Sequence, residues 1–243
     1  LALMLPYLQS LDDEVDTTYL LLGSLRGSPL LALSVNAYFA QLPLLPVLGE
    51  LRSLKQLQVT DNHITLYGMS SVSVPKEMSQ LCSLTRLELW QQFGYCLTNG
   101  CLPSSLRSLK VRLATAALPP AIRAASQLEQ LQLSHCGRSQ SVDFTGLEEL
   151  SGLTLLGLRN CNLKALPRQL LALTKLVCLD LAEITFLGNY GSALAPLTQL
   201  TALRELDLSQ CSICGLPQQI STSLQVSVTP WQWYLRQALG GVK

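Results

Sequence analysis

Residues 153–163 read Leu-Thr-Leu-Leu-Gly-Leu-Arg-Asn-Cys-Asn-Leu, and this stretch decides the fold. Its pattern is Leu-x-x-Leu-x-Leu-x-x-(Asn/Cys)-x-Leu, where x is any residue. Residues 54–64 and 203–213 carry the same pattern, with Val or Ile in place of some leucines. A phrase that returns at a regular spacing is the sequence signature of a repeat architecture.

Looser copies extend the repeat along most of the chain. The second leucine of each copy marks it, and successive markers are 24, 30, 22, 22, 25, 23 and 27 residues apart. Most intervals fall in the range of about 20–29 residues, and the longest contains an insertion at 67–73. A run at 224–228 predicts a short closing strand. The eight markers are Leu33, Leu57, Leu87, Leu109, Leu131, Leu156, Leu179 and Leu206.

The spacing of the leucines predicts how each repeat folds. Leu-x-Leu places two side chains on one face of a short strand. One repeat cannot bury them alone, so neighbours must stack with their strands parallel. Eight strands about 4.8 Å apart predict an inner edge of roughly 34 Å. Proline ends strand pairing and opens a short helix or turn, and Leu-Pro-x-x-(Leu/Ile) returns between the strands at 102–106, 118–122, 166–170 and 216–220.

These eight tandem copies resemble the leucine-rich-repeat family over residues 28–228. The Leu-Pro segments are similar to those of its cytoplasmic, Ras-group-related type. The resemblance implies an α/β fold, a right-handed horseshoe solenoid with a concave parallel sheet of eight or nine strands and short helical or irregular convex segments. It also implies that the concave side recognises a partner. Four copies depart from the pattern at the Asn position and should lack its side-chain-to-backbone bonds: Tyr38, Gln92, Ala114 and Ile184.

We expect one structural domain, with the solenoid at 28–228 and a cap at each end. Residues 1–27 hold an acidic patch and no clear repeat, which indicates a cap or a degenerate first repeat, or else the tail of a further domain. Residues 229–243 contain Trp231 and Trp233 and lead to a Gly-Gly stop. An aromatic cap over the last repeat explains them, and a docking peptide for another domain is the rival interpretation.

The motifs of catalysis and metal binding are absent from the sequence. The two histidines, His63 and His135, belong to different repeats, and Cys211-x-x-Cys214 has no second pair near it. Zinc sites need clustered Cys, His or carboxylate ligands, so we read Cys211 as the Asn-position residue of its repeat. Cys96 and Cys101 flank a loop and could pair under oxidation, although two thiols are the simpler interpretation. With no nucleotide-binding loop or nucleophile elbow, we expect no enzyme activity, no metal and no cofactor.

Charge and composition restrict the class of partner and the compartment. The net charge of +1 gives no general attraction to nucleic acid or to anionic membranes. Residues 27–49 are uncharged, but their prolines and their fit to the repeat favour the protein interior over a membrane span. The eight cysteines lie in a long chain with a large core, and none of the six asparagines begins a glycosylation site. Together these features favour an intracellular, cytoplasmic protein.

The positions between and beside the strand leucines form the candidate binding surface. Their charges sort into a basic aromatic group (Arg86, Trp90, Lys110, Arg112 and Arg159) and an acidic group (Asp180, Glu183, Glu205 and Asp207). Trp and Arg are enriched among residues that dominate binding energy, although solvated positions could sort by sign by chance. Trp90 could instead fold over the loop at 93–95. The remaining candidates for partner contact are Glu88, Gln132 and His135.

The sequence therefore predicts a non-catalytic protein–protein interaction module that binds another protein on its concave face. The alternative is the ligand-sensing or substrate-receptor portion of a larger protein, such as an NLR-type immune receptor or an F-box ubiquitin-ligase subunit. An oligomeric structural protein is a third class, which would sediment as a dimer. The sequence leaves open the partner's identity and whether the chain acts as a monomer or within a larger complex.

Overall fold

A computed structural model describes residues 2–5, 29–36, 49–60, 72–74, 76–90, 95–113, 115, 117–134, 142–161, 163, 165–184, 194–211 and 225–227. The chain divides into two compact units. The first unit comprises Leu1–Thr115 and Pro119–Leu128, and the second comprises Ala116–Leu118 and Glu129–Lys243.

The first unit is built on a parallel sheet. Its strands, in spatial order, are β1 (Ala2–Leu5), β2 (Ala32–Asn36), β3 (Gln56–Thr60), β5 (Arg86–Trp90) and β7 (Ser108–Arg112). A second, two-stranded parallel sheet pairs β4 (Val72–Val74) with β6 (Tyr95–Leu97). The return segments include a 3-10 helix at Lys76–Gln80 and the short helix α1 (Pro120–Arg123).

The second unit repeats this plan. Its parallel strands, in spatial order, are β8 (Gln130–Ser134), β9 (Leu155–Arg159), β10 (Cys178–Asp180), β11 (Glu205–Asp207) and β12 (Gln225–Ser227). The return segments are 3-10 helices at Leu147–Glu149, Arg168–Ala172 and Ala195–Gln199.

The predicted parallel strands are confirmed. All eight marker leucines lie in strands, and within each unit they pair in register: Leu57 with Leu33 and Leu87, and Leu156 with Leu131 and Leu179. The closing strand expected near 224–228 is β12, whose Val226 pairs with Leu206. The segment that showed no clear repeat contributes β1, whose Leu3 pairs with Leu33.

The interior of each unit consists of the leucines that define the repeat. In every copy the first leucine of the pattern, the marker and the apolar residue two positions further on are buried, and none of the twenty-four side chains is more than 2% exposed. Burial of one Leu or Val side chain contributes about 1.5–3 kcal/mol. This contribution, repeated along the chain, offsets the cost of ordering the backbone.

Backbone hydrogen bonds convert the leucine spacing into a fixed register. In the seven repeats whose turn the structure describes, the first leucine closes a tight turn, as where the Leu54 amide donates to the Leu51 carbonyl at 2.9 Å. At six junctions between described strands, the carbonyl just before one strand accepts two amides of the next repeat. The carbonyl of Lys55, for example, accepts the amides of Thr85 and Arg86 at 2.9 and 3.0 Å. The same arrangement recurs through both units, so neighbouring strands start in line.

Proline starts the return segments as expected. Pro119 precedes α1, and Pro167 precedes the 3-10 helix at Arg168–Ala172. Pro103 begins a turn instead, in which its carbonyl accepts the Leu106 amide at 3.1 Å. The fourth Leu-Pro segment, at 216–220, lies outside the described residues.

The Asn position of the repeat is filled by buried groups. The thiols of Cys161 and Cys211 donate to the carbonyls of Leu133 and Leu181, one repeat earlier, at 3.8 and 2.9 Å. Ile184, one of the predicted departures, is fully buried and packs as an apolar residue. The other three, Tyr38, Gln92 and Ala114, lie outside the described residues.

Candidate protein-binding face

Alternation along the strands creates an outward face in each unit. In β5, Leu87 and Leu89 are buried, whereas Arg86 is exposed and Glu88 and Trp90 are half-buried. In β7, Lys110 and Arg112 occupy the same outward positions. The structure therefore places five of the predicted contact residues side by side on two neighbouring strands, with Glu88 in register with Lys110.

Trp90 and Lys110 contact each other across these strands. The Lys110 ammonium lies 4.6 Å from the centroid of the Trp90 ring. A cation over an aromatic face is attracted by the ring quadrupole, with about 0.5–1 kcal/mol at exposed sites. Trp90 was predicted either to face a partner or to fold over the loop at 93–95. The described part of the chain places the ring beside Lys110 on the outward face, and residues 93 and 94 lie outside it.

Arg86 neutralises the one carboxylate of this group. Its Nε donates a hydrogen bond to Glu88 Oε1 at 2.9 Å, and a terminal guanidinium nitrogen forms an ion pair with the same oxygen at 2.8 Å. The Arg86 side chain is 54% exposed and that of Glu88 is 15% exposed. An exposed pair of this kind contributes at most about 1 kcal/mol to stability. Its main effect is to hold the Glu88 charge beside an arginine.

The rest of the outward face of the first unit is uncharged among the described residues, and most of it is polar. β3 presents Gln56, Gln58 and Thr60, and β2 presents Ser34, whose hydroxyl donates to Gln58 Oε1 at 3.4 Å. The register places Gln58 beside Glu88 and Thr60 beside Trp90. The charged residues of β5 and β7 therefore border a neutral surface.

Arg159 and Glu183 pair in the second unit. Nε and a terminal nitrogen of Arg159 donate to Glu183 Oε1 at 3.2 and 2.7 Å. The side-chain amide of Asn160 donates from Nδ2 to Glu183 Oε2 at 3.2 Å. The hydrogen bond with Glu183 raises the pKa of the Arg159 guanidinium, while burial opposes the shift. The basic aromatic group and the acidic group defined from the sequence are therefore linked, because Arg159 forms an ion pair with an acidic residue one repeat further on.

Asp180 and Asp207 are bound to their own turns. Asp180 Oδ1 accepts the Ala182 amide at 2.9 Å, and Asp207 Oδ1 accepts the Ser209 amide at 2.8 Å. Burial raises the pKa of the Asp180 carboxyl above its ordinary value, the hydrogen bond from the Ala182 amide lowers it, and neighbouring Asp207 raises it further. These two carboxylates therefore help to shape the strand ends as well as to charge the face.

We expect Asp180→Asn to raise the melting temperature at pH 7. The raised pKa means that the folded state favours the protonated carboxyl of Asp180 over the charged one. Asp180 therefore contributes stability to the fold at low pH, and this contribution is lost as the pH rises through the folded-state pKa. Asn keeps an oxygen for the Ala182 amide and removes the charge. Thermal unfolding at pH 7 and at about pH 3 measures this, and the difference from wild type should vanish at the acid end. A lower melting temperature at pH 7 would show that the Ala182 amide needs the full charge.

Cys178 is an outward-facing residue that the sequence analysis missed. It lies in register with Glu205. Burial is the main cause that raises the pKa of the Cys178 thiol to about 11, and the hydrogen bond to Glu205 and the negative charge of that carboxylate act in the same direction. Cys178 occupies the same outward column as Arg86 and Glu205, so the strand alternation alone could have identified it. Its neutral thiol adds no charge to the acidic group.

Gln132 and Gly157 are neighbours on the outward face of β8 and β9. The register pairs them, and an added Cβ at Gly157 would lie 3.1 Å from Gln132 Cγ. The Gln132 side chain therefore covers the glycine, which is why Gly157 is buried at an outward position. His135, the remaining candidate, lies outside the described residues.

The described residues include six cysteines, all present as thiols, with Cys101, Cys161 and Cys211 buried. Cys96 and Cys101 are not joined by a disulfide. No group of three or more His, Cys, Asp or Glu residues within the described ranges could hold a metal ion. No helix in that part of the chain is long and apolar enough to cross a membrane.

Three solved structures of similar fold come from two bacteria. An internalin, InlF, of Listeria monocytogenes matches 84% of the chain with 18% identity and a TM-score of 0.55. InlP of the same species matches 87% with 20% identity and a TM-score of 0.57. A leucine-rich-repeat protein of Leptospira interrogans matches 84% with 20% identity and a TM-score of 0.53. The chain spans 56%, 57% and 56% of these proteins, respectively.

No protein-family model matches the chain, and no curated protein matches its sequence. At identities of 18–20%, the structural similarity extends to the fold alone. It agrees with the parallel strands and with the buried leucines that recur in every described repeat. The fold of this chain is therefore that of the leucine-rich-repeat proteins.

Proposed function

We propose that this protein is a non-catalytic interaction module that binds another protein on the outward face of its strands. The observation that carries the proposal is Trp90, a half-buried tryptophan at an outward strand position, with Lys110 over its ring. Tryptophan and arginine dominate binding energy in protein interfaces. The fold leaves part of this ring exposed, and a partner could cover that part.

The division of labour within each strand supports this proposal. The buried leucines supply the packing energy, so the outward residues are free to serve recognition. Because they stand on paired strands rather than on loops, they lose little conformational freedom when a partner binds. The proposed contact residues on the first unit are Arg86, Glu88, Trp90, Lys110 and Arg112, and those on the second are Gln132, His135, Arg159, Asp180, Glu183, Glu205 and Asp207.

We also propose that the protein works in a reducing, cytoplasmic environment and belongs to the cytoplasmic type of these repeats. Three buried thiols in the described part of the chain support this, since Cys161 and Cys211 act there as hydrogen-bond donors. The Leu-Pro-x-x-(Leu/Ile) segments and the lack of glycosylation sites in the sequence point the same way. Disulfides are the rule in secreted domains that lack a sufficient hydrophobic core. These repeats have such a core and do not need disulfides for their stability.

The test of the interaction function is partner capture by the double variant Trp90→Ala/Arg112→Ala. We expect it to fold like the wild type and to lose the proteins captured by the wild type from a lysate of the source organism. Truncation of one hot-spot residue costs about 2 kcal/mol or more of binding energy. Quantitative mass spectrometry of the captured proteins provides the measurement.

The matched control is Arg168→Ala/Lys175→Ala. Both residues are exposed, and they lie in a return segment and the turn after it, away from the outward strand positions. This variant should retain the captured proteins. Equal capture by the wild type and by Trp90→Ala/Arg112→Ala would contradict the proposed function for this face.

A further inference from the structure

We infer that the outward face of β5 and β7 takes an acidic polypeptide segment, with a carboxylate of the segment at Lys110 and an apolar side chain against the Trp90 ring. This inference rests on the proposed function and names the chemistry of the partner. Three observations support it: the balance of charge, the availability of Lys110, and the neutral surface beside it.

The balance of charge on these two strands is positive. Their outward positions carry three cations, Arg86, Lys110 and Arg112, and one carboxylate, Glu88. A single oxygen of the Glu88 carboxylate accepts a hydrogen bond from Arg86 Nε and forms an ion pair with a terminal nitrogen of the same guanidinium. The pair is therefore close to neutral, and the excess positive charge lies on β7.

Lys110 retains its charge for an outside ligand. Among the charged groups that the structure describes, no carboxylate lies within ion-pair distance of its ammonium, although Glu88 is its neighbour in register. Its contact is the Trp90 ring, 4.6 Å away. A ring quadrupole attracts a cation but does not neutralise it. A carboxylate arriving from outside would thus form a pair that the fold itself leaves unmade.

The surroundings favour an acidic segment that carries apolar residues. Gln58 and Thr60 on β3 are uncharged, so these two described neighbours do not repel a carboxylate. The partly exposed ring offers an apolar surface next to the ammonium. On the second unit, by contrast, Asp180, Glu205 and Asp207 occupy the outward positions of β10 and β11. Like charges there would oppose such a segment, so the inference assigns it to the first unit.

A nucleic acid is the other polyanion to consider. Its affinity depends on the number of phosphates that Lys and Arg neutralise. Three cations accompanied by a carboxylate supply few such contacts, and the chain as a whole has a net charge of only +1. A peptide needs only one or two well-placed ion pairs, and it also gains binding energy when an apolar side chain packs against the Trp90 ring. The observations therefore favour a peptide.

The experiment measures binding of a fluorescein-labelled peptide of four Glu-Glu-Leu repeats to the full chain by fluorescence anisotropy. A peptide of four Gln-Gln-Leu repeats and an oligodeoxythymidine of matching charge serve as comparison probes. The variant Lys110→Glu/Arg112→Glu removes the site. Arg52→Glu/Lys55→Glu makes the same change in net charge at exposed positions of the first unit outside β5 and β7. Circular dichroism confirms that both variants are folded.

We expect the Glu-Glu-Leu peptide to bind the wild type, and Lys110→Glu/Arg112→Glu to weaken it at least about tenfold, because like charges then face each other. Arg52→Glu/Lys55→Glu should weaken it less than about threefold, through general charge alone. In a Trp231→Phe/Trp233→Phe background, Trp90 is the sole tryptophan, and its emission should change when the peptide binds.

Several results would overturn the inference. They are an absence of peptide binding by the wild type, equal loss in the two charge variants, and binding of the oligodeoxythymidine as tight as that of the peptide. The last result would indicate a nucleic-acid surface instead. If the peptide fails to bind while Trp90→Ala/Arg112→Ala still loses the captured proteins, the proposed function stands and only the acidic chemistry of the partner is wrong.

Discussion

Leu156→Ala is expected to lower the free energy of unfolding by about 2–5 kcal/mol, the range for truncating a buried leucine. Leu156 lies in the middle of β9, is fully buried, and pairs in register with Leu131 and Leu179. Its removal leaves a cavity within a stack in which each repeat contacts only its neighbours, so little else can move in to fill it. Urea denaturation followed by circular dichroism measures the change.

The adjacent residue provides the control. Leu155 precedes Leu156 in the same strand but faces outward and is partly exposed. Leu155→Ala should therefore cost less than about 1 kcal/mol, because it removes the same atoms from a site that is already partly in water. Similar losses for the two variants would show that position in the strand does not separate interior from surface, which contradicts the basis of the fold.

Gln210→Val is expected to destabilise the protein by about 1–2 kcal/mol, whereas Gln210→Gly should be neutral or mildly stabilising. Gln210 has a φ of 59° and follows β11, at the residue before the buried Cys211. Asn160 and Glu183 occupy the equivalent positions of the two preceding repeats, with φ values of 52° and 60°. This left-handed conformation is costly for a β-branched side chain and free for glycine.

Chemical denaturation of the three proteins measures this effect, and Gln56→Val is its control. Gln56 is exposed and lies in the extended strand β3, where a β-branched residue fits the backbone. It should cost nothing measurable. If Gln210→Val were as stable as Gln210→Gly, the turn would be able to relax out of the left-handed conformation, and the regular turn after each strand would not be a requirement of the repeat.

The strands and the interior could be predicted from the sequence because both follow from periodicity. Leu153, Leu156 and Leu158 must share one side of a short strand, and their spacing returns eight times. The β4–β6 sheet could not be predicted in this way. Val72–Val74 and Tyr95–Leu97 contain no leucine pattern, and Val72–Val74 overlaps the insertion at 67–73. β1 was missed because its segment carries only a fragment of the repeat.

The outward face could be predicted as a set of positions but not as a set of contacts. Alternation identified Arg86, Glu88 and Lys110 as surface residues. It could not show that Arg86 pairs with Glu88 along its own strand while Lys110 turns to a ring, because side-chain rotamers and local competition decide such pairings. The carboxylates of Asp180 and Asp207 show the same limit, since each reaches a backbone amide two residues on.

The paired amides at the start of each strand have a consequence for how such a protein can evolve. Main-chain atoms set most of the alignment of each repeat with the next, as where the Lys55 carbonyl accepts the amides of Thr85 and Arg86. Outward residues that make no bond to the backbone can therefore be exchanged with little effect on the scaffold, unlike Asp180 and Asp207, which bind their own turns. Selection for a new ligand would change the outward residues, while the parallel strands and their buried leucines stay the same.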